Sequence, residues 1–245
     1  SNWRSNASIN HKEVEIPEVL KGKIDGDELK FHTGFHNYLF NESVDSDDAA
    51  GTTRFDQIMD DLKSLLAKYP DYKIFVTGHS LGAAVSSVAA FYFACDDDLP
   101  KPISCINFAS PRVGGWEVFQ GVQHLEQTKK LRVLRIVNEN DLVTTIPSLG
   151  YWHSGWQINT YKPGWFNKNP KPDIEYLSPL DSAWKRFGKT WTNSIVSNLN
   201  LGYDHSDYIS RIELAENYLE ETTGLNAVVY MDEKHLGYKL GGDEE

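Results

Sequence analysis

From Thr52 to Tyr69 apolar residues recur at spacings of three and four: Phe55, Ile58, Met59, Leu62, Leu65, Leu66 and Tyr69. That period predicts an amphipathic helix, and Pro70 stops it. Lys73-Ile74-Phe75-Val76-Thr77 is short, apolar and β-branched, and reads as a buried strand. Gly78 to Gly82 turns the chain, and Ala83 to Ala94 continues as an apolar, alanine-rich helix. Ile103 to Phe108 and Leu131 to Val137 predict two further strands. Tyr208, Ile209, Ile212, Ala215, Tyr218 and Leu219 mark a late amphipathic helix. Strands alternating with helices predict an α/β fold with a mostly parallel central sheet flanked by helices. His32 and His36 are expected on or beside a strand, as structural residues.

At 245 residues the chain suits one large domain, or a domain with a short extension. The 24 basic and 35 acidic residues leave a net charge of −11, which argues against nucleic acid and against an anionic membrane surface as partners. The longest apolar stretch, Ala83 to Cys95, is broken by Ser86 and Ser87. It falls short of the roughly 18 apolar residues of a transmembrane segment. Cys95 and Cys105 have no metal-ligand spacing, and two buried thiols are favoured over one bridge. The acidic runs at 45–51 and 96–98 read as solvated loops rather than metal sites. Residues 162–173 read as an irregular surface segment, and 241–245 as a frayed end. Asn6-Ala7-Ser8 and Asn41-Glu42-Ser43 are glycosylation sequons if the chain is secreted. They give a weak lean to secretion, although an organellar protein would look the same. The start, Ser1-Asn2-Trp3-Arg4, reads as a processed or cut end without a signal peptide.

The chemistry concentrates in Gly78-His79-Ser80-Leu81-Gly82, a G-x-S-x-G pattern between a strand and a helix. Such a turn lifts the Ser80 hydroxyl clear of the sheet. Side chains at Gly78 and Gly82 are expected to collide with backbone there. The Leu81 N–H, at the helix start, is expected to point where a tetrahedral oxyanion would form. A serine nucleophile needs a base, and the base an orienting acid. Chain order places both after Ser80. The candidate bases are His124, His153, His205 and His235. The acid belongs on a loop after a strand, which selects Asp141, with Glu139 as the fallback.

With these residues in place, the chain resembles the class 3, fungal-type triacylglycerol lipases of the α/β-hydrolases. The resemblance covers roughly residues 1 to 212 and rests on several blocks in order. They are His32-Thr33-Gly34-Phe35, Val76 to Ala84, Phe108 to Gly114, Arg135 to Val143, Gly150 to Gly155, and Asp204 to Tyr208. The family pattern implies Asp141 as the acid, within an Asn-x-x-Asp block, and His205 as the base, within a His-x-x-Tyr block with Tyr208. It leaves His153 outside the chemistry. His79, the variable residue of the elbow, is read as packing or orienting.

The resemblance implies an α/β-hydrolase domain over 1–222, with 1–30 as a lid region, and a C-terminal extension over 223–245. Val14, Ile16, Val19 and Leu20 would supply the lid's apolar surface, and Val228 to Met231 could add a strand. The family's other oxyanion donor follows an Arg-Gly dipeptide on a strand ahead of the lid. Ser1-Asn2-Trp3 resembles the start of the lid helix itself. The expectation is therefore a fold lacking its N-terminal strands, these lying on a separate chain or segment. The implied function is serine hydrolysis of acylglycerols or related lipid esters through an acyl-enzyme, without metal or organic cofactor. Phospholipase A1, galactolipase and feruloyl esterase share the same machinery. A catalytically silent lipase-like interaction module is the reading from another class.

Overall fold

The computed structural model describes residues 10–42, 51–163, 171–176 and 201–213. β1 (His11–Glu15) and β2 (Glu28–His32) form an antiparallel pair, joined through a 3₁₀ turn at Glu18–Leu20. The second sheet has five strands in chain order: β3 (Phe75–His79), β4 (Ile103–Phe108), β5 (Leu131–Asn138), β6 (Trp156–Thr160) and β7 (Asp173–Tyr176). The first four run parallel, and β7 closes the sheet antiparallel. Helices α1 (Thr33–Phe40) and α2 (Arg54–Lys68) precede it. Helix α3 (Leu81–Cys95) links β3 to β4, and α4 (Trp116–Gln127) links β4 to β5. The short helix α5 (Leu201–Ser206) comes last, and helical backbone resumes over 208–213.

The side-chain alternation of the strands sorts the interior into two cores. Ile103 and Cys105 of β4 and Leu131 and Val133 of β5 join the main core, with α3, α4 and the β1–β2 pair. Ile106 and Phe108, with Leu134 and Ile136, face the other way, onto Trp156, Ile158, Tyr208 and Ile212. Phe31, Phe91, Leu20 and Leu29 are among the largest fully buried side chains of the main core. In-register pairing sets the position of the site. His79 pairs with Phe108, and Phe108 with Ile136, so Ser80 and the loop after Asn138 leave the sheet at the same end. Open parallel sheets bind ligands at that carboxyl end.

Helix α2 opens with a capping box between Thr53 and Asp56. Phe55, Met59, Leu62 and Leu66 pack on the main core only partly buried, while Ile58, Leu65 and Tyr69 are exposed. β3 is one of the two outer strands of its sheet among the described residues, and its Phe75 is exposed.

Some elements differ from the sequence expectation. The strand before the elbow begins at Phe75 and runs through His79, two residues past the expected end. His36 sits in helix α1, with its ring 5.7 Å from that of Phe31 on strand β2. That helix starts directly from β2, and its cap is the His32 ring, which accepts from the Gly34 N–H at 3.2 Å. Helices are usually capped by Ser, Thr, Asp or Asn, so this start carries no sequence signal. Strands β1, β6 and β7 and helices α4 and α5 add to the elements that the sequence pattern predicts. Within residues 1–30, Ile16 and Leu20 are buried in the main core, and Val14 and Val19 pack against it. Cys95 and Cys105 are free thiols. Residues 1–9, most of the 45–51 acidic run, His235 and the C-terminal extension lie outside the described residues, as does the late helix beyond 213.

Candidate active site

The elbow is built by a close approach of backbone to backbone. Ser80 has φ +57°, a left-handed conformation that costs a non-glycine residue about 1 kcal/mol or more. It is held there by its N–H donating to Phe108 O at 3.0 Å, while its own carbonyl accepts from Ala83 at 3.0 Å. A Cβ on Gly78 would lie 2.4 Å from the Gly82 carbonyl carbon and oxygen, so only glycine fits at 78. The matching expectation for Gly82 is corrected: a Cβ there would point into open space. Gly82 matters as the backbone that Gly78 leans against.

Ser80 is the N-cap of α3 without using its side chain for capping. The hydroxyl is thereby left for His205, whose Nε2 lies 2.8 Å from Oγ. Leu81 is the first residue of α3. First-turn N–H groups have no intrahelical acceptor and sit at the positive end of the helix dipole. An oxyanion formed at Ser80 would meet that end.

The other ring nitrogen of His205, Nδ1, lies 3.0 Å and 3.1 Å from the two carboxylate oxygens of Asp141. Asp141 follows β5 and caps the 3₁₀ turn Leu142–Thr145, with Oδ1 accepting from the Val143 N–H at 2.9 Å. Its Oδ2 accepts from the Tyr208 hydroxyl at 2.7 Å. The residue is 1 % exposed, so its charge is held by these donors instead of by bulk water. Tyr208 also accepts from the Asn138 N–H at 3.0 Å. Burial, followed by the Asp141 charge, pushes the Tyr208 phenol well above its usual range, which keeps it a hydrogen-bond donor.

The segment bearing His205 is anchored on both sides. Asn138 Nδ2 donates to the Asp204 carbonyl at 2.7 Å, and Thr160 Oγ1 donates to Asn138 Oδ1 at 2.5 Å. The buried Arg211 pairs with the carboxylates of Asp204 and Asp207. The anchoring roles of Asn138 and Thr160 are not predicted from the sequence. The Asn-x-x-Asp spacing carries a signal for the first, and nothing singles out the second.

The remaining candidates lie elsewhere. His153 is buried with Nε2 2.6 Å from the Thr144 carbonyl. His124 has its pKa lowered by burial and then by Lys23 and Lys130, cations that oppose an imidazolium. The His205 Nδ1 faces Asp141; Glu139 instead uses its backbone N–H to bond Thr160 O. Burial pushes both Cys95 and Cys105 up to about 12, so neither thiol is a competing nucleophile near neutral pH. Among the described residues no cluster of His, Cys, Asp and Glu could hold a metal ion. No described helix is long and apolar enough to cross a membrane.

Comparison with known proteins bears on the family and the fold. The family model described as lipase (class 3) matches residues 2–151. A similar curated protein, the chloroplastic phospholipase A1-Igamma3 of Arabidopsis thaliana, is 27% identical over 174 residues, which is 65% of this chain and 32% of that protein. The chain spans between about a fifth and a third of the length of the curated relatives it matches. Among solved structures, Lip2 lipase from Yarrowia lipolytica aligns over 85% of this chain and 65% of its own, with TM-score 0.57 at 19% identity. A triacylglycerol lipase, reported as having a serine protease triad for its catalytic centre, aligns over 82% of this chain and 64% of its own, with TM-score 0.52 at 21% identity. The fold is that of the α/β-hydrolase lipases.

Proposed function

The chain belongs to the class 3 lipase family, and from that premise we propose that it is a serine carboxylic-ester hydrolase cleaving acylglycerols or related lipid esters. The observation that carries the reading is the unbroken line of hydrogen bonds from Ser80 Oγ through His205 to Asp141. Ser80 attacks the ester carbonyl as His205 Nε2 takes its proton. The Leu81 N–H holds the negative oxygen of the tetrahedral intermediate. The imidazolium then returns a proton to the leaving alcohol, and the acyl group remains on Ser80. Water, deprotonated by the same nitrogen, attacks the acyl-enzyme; the proton passes to Ser80 Oγ as the fatty acid leaves. Asp141 keeps Nδ1 protonated and stabilises the imidazolium. No step calls on a metal or an organic cofactor.

An apolar acyl substrate is supported by the two segments that carry Asp141 and His205. Ile146 and Leu149 follow the first, Ile209 follows the second, and all three are exposed. Within lipid esters, phospholipid cleavage at the A1 position is the first specificity to test, because curated relatives are phospholipases A1. Galactolipid and feruloyl esters are the next substrates for the same panel. A silent interaction module is disfavoured by the complete Ser80, His205 and Asp141 set.

The test is fluorophosphonate labelling together with hydrolysis of p-nitrophenyl esters from acetate to palmitate. The chain would be run as given and within a longer version carrying upstream residues. Labelling at Ser80 and long-chain hydrolysis, both lost in folded Ser80→Ala, are expected. Folded protein that neither labels nor hydrolyses in either version would move the reading to the silent module.

A further inference from the structure

His79 is the variable residue of the elbow, and the reaction just described gives it no part. Its position is nevertheless specific. It closes β3 immediately before Ser80, and its Nε2 lies 2.9 Å from the backbone carbonyl of His205. A carbonyl only accepts, so His79 carries its proton on Nε2 and donates it there. The same ring lies 4.8 Å from the His205 imidazole, tilted by 44°, and 5.7 Å from the Tyr208 ring, nearly edge-on at 75°. Resting on the proposed hydrolase function, we propose that His79 is a positioning residue that fixes the His205 backbone relative to Ser80.

The argument is geometric. Ser80 and His205 are 125 positions apart in sequence, and their 2.8 Å contact needs both backbones in register. The neighbours of His205 are tied to β5, through the Asp204 carbonyl and the Tyr208 hydroxyl. Those ties set the base relative to Asp141. The nucleophile, however, hangs on β3, a different strand. The His79 bond crosses that gap, tying the carbonyl of the base residue to the residue adjoining the nucleophile. The His205 side chain is 23% exposed, so enclosure alone does not hold it. Proton transfer is steep in alignment, and a misplacement of about 1 Å can reduce turnover about 10²-fold.

The test compares His79→Phe, which keeps a ring but loses the donor, with His79→Gln, which keeps a donor at similar reach. For His79→Phe, kcat on a short p-nitrophenyl ester should fall roughly 10- to 100-fold, with KM within about twofold. His79→Gln should recover most of the loss. A second readout does not need turnover: the low-field proton NMR signal of the His205 Nδ1–H shared with Asp141. It should shift or broaden in His79→Phe and return in His79→Gln. Unchanged kcat and an unchanged signal in His79→Phe would overturn the proposal. So would equal losses in both variants accompanied by a lowered melting temperature, which would mark a structural role. If the wild type hydrolyses nothing while the signal still responds to the pair, the hydrolase reading fails and the positioning role stands.

Discussion

Asp141 is a carboxylate, 1% exposed, with a ring nitrogen, a hydroxyl and a backbone N–H directed at it. Leu65 is an aliphatic side chain on an amphipathic helix, and it is 54% exposed. The two belong to opposite regions of one molecule. At the carboxyl end of the sheet, Asp141, Asn138, Thr160 and Tyr208 are buried and hydrogen-bonded. On the flank made by α2 and β3, apolar groups face outward, with Ile58, Leu65, Tyr72 and Phe75 all exposed. Only the inner side of that flank is packed, through stacked and edge-on rings among Phe40, Phe55, Tyr92 and Phe93. Apolar periodicity therefore reports which face of an element is sticky, and not how deeply it is buried. Depth depends on what other elements cover it, and burial of charge depends on donors brought from far along the chain.

The largest effect that would sharpen this contrast is at the buried acid. Asp141→Asn should lower kcat/KM about 10⁴-fold, because the amide no longer orients His205 as the carboxylate does. Ester kinetics check this, and a loss under tenfold would remove Asp141 from its role. In the packed part of the main core, Phe91→Ala should destabilise by about 3–5 kcal/mol, read from urea unfolding. A much smaller value would mean that the core resembles the exposed flank.

His36 tests the inner side of the flank by pH. Burial, aided by the Lys12 charge, lowers its pKa from 6.5 to about 4. The unfolded chain takes up this proton as pH drops below about 6.5, whereas the folded protein refuses it until about pH 4. The contribution is thus full above that window and lost as pH falls through it. Between pH 7.5 and 4.5 wild type should lose on the order of 2 kcal/mol more than His36→Gln. Parallel unfolding curves for the two proteins would show that His36 protonates freely in the folded state.

Tyr208→Phe removes the donor to Asp141 and leaves the Asn138 N–H without that acceptor. A loss of roughly 1–2 kcal/mol is expected in urea unfolding, with a lowered kcat. An unaltered midpoint would show that water replaces the phenol. The smallest effect belongs to the flank's outer face: Leu65→Ser should change stability by no more than about 0.5 kcal/mol. A cost near that of Phe91→Ala would mean that this face is covered in solution, erasing the contrast.

The same contrast explains what could be read from sequence. The elbow was readable because strand, glycine turn and alanine-rich helix point to one local geometry around Ser80. Asp141 was readable because it follows a strongly apolar strand. His205 needed the family resemblance, since four histidines follow Ser80 and local pattern does not rank them. Strand β6 was hidden by its own composition. Gln157, Asn159 and Thr160 look like loop residues, yet all five residues of the strand are buried. Gln157 satisfies Asn159 across 2.5 Å, and Thr160 satisfies Asn138. Polar groups matched by such pairing carry no signal in a hydrophobic pattern, because the pattern cannot record long-range partners.

Asn138 has a consequence for how such a chain can change. It ends a central strand, and its side chain and backbone grip the residues on either side of His205 from 66 and 70 positions away. The clamp makes the register of His205 depend on its two gripped neighbours and on the strand that holds Asn138. A change in chain length between β7 and His205 should be tolerated so long as both grips re-form. Substrate preference could then diversify there while the proton-transfer geometry is inherited unchanged.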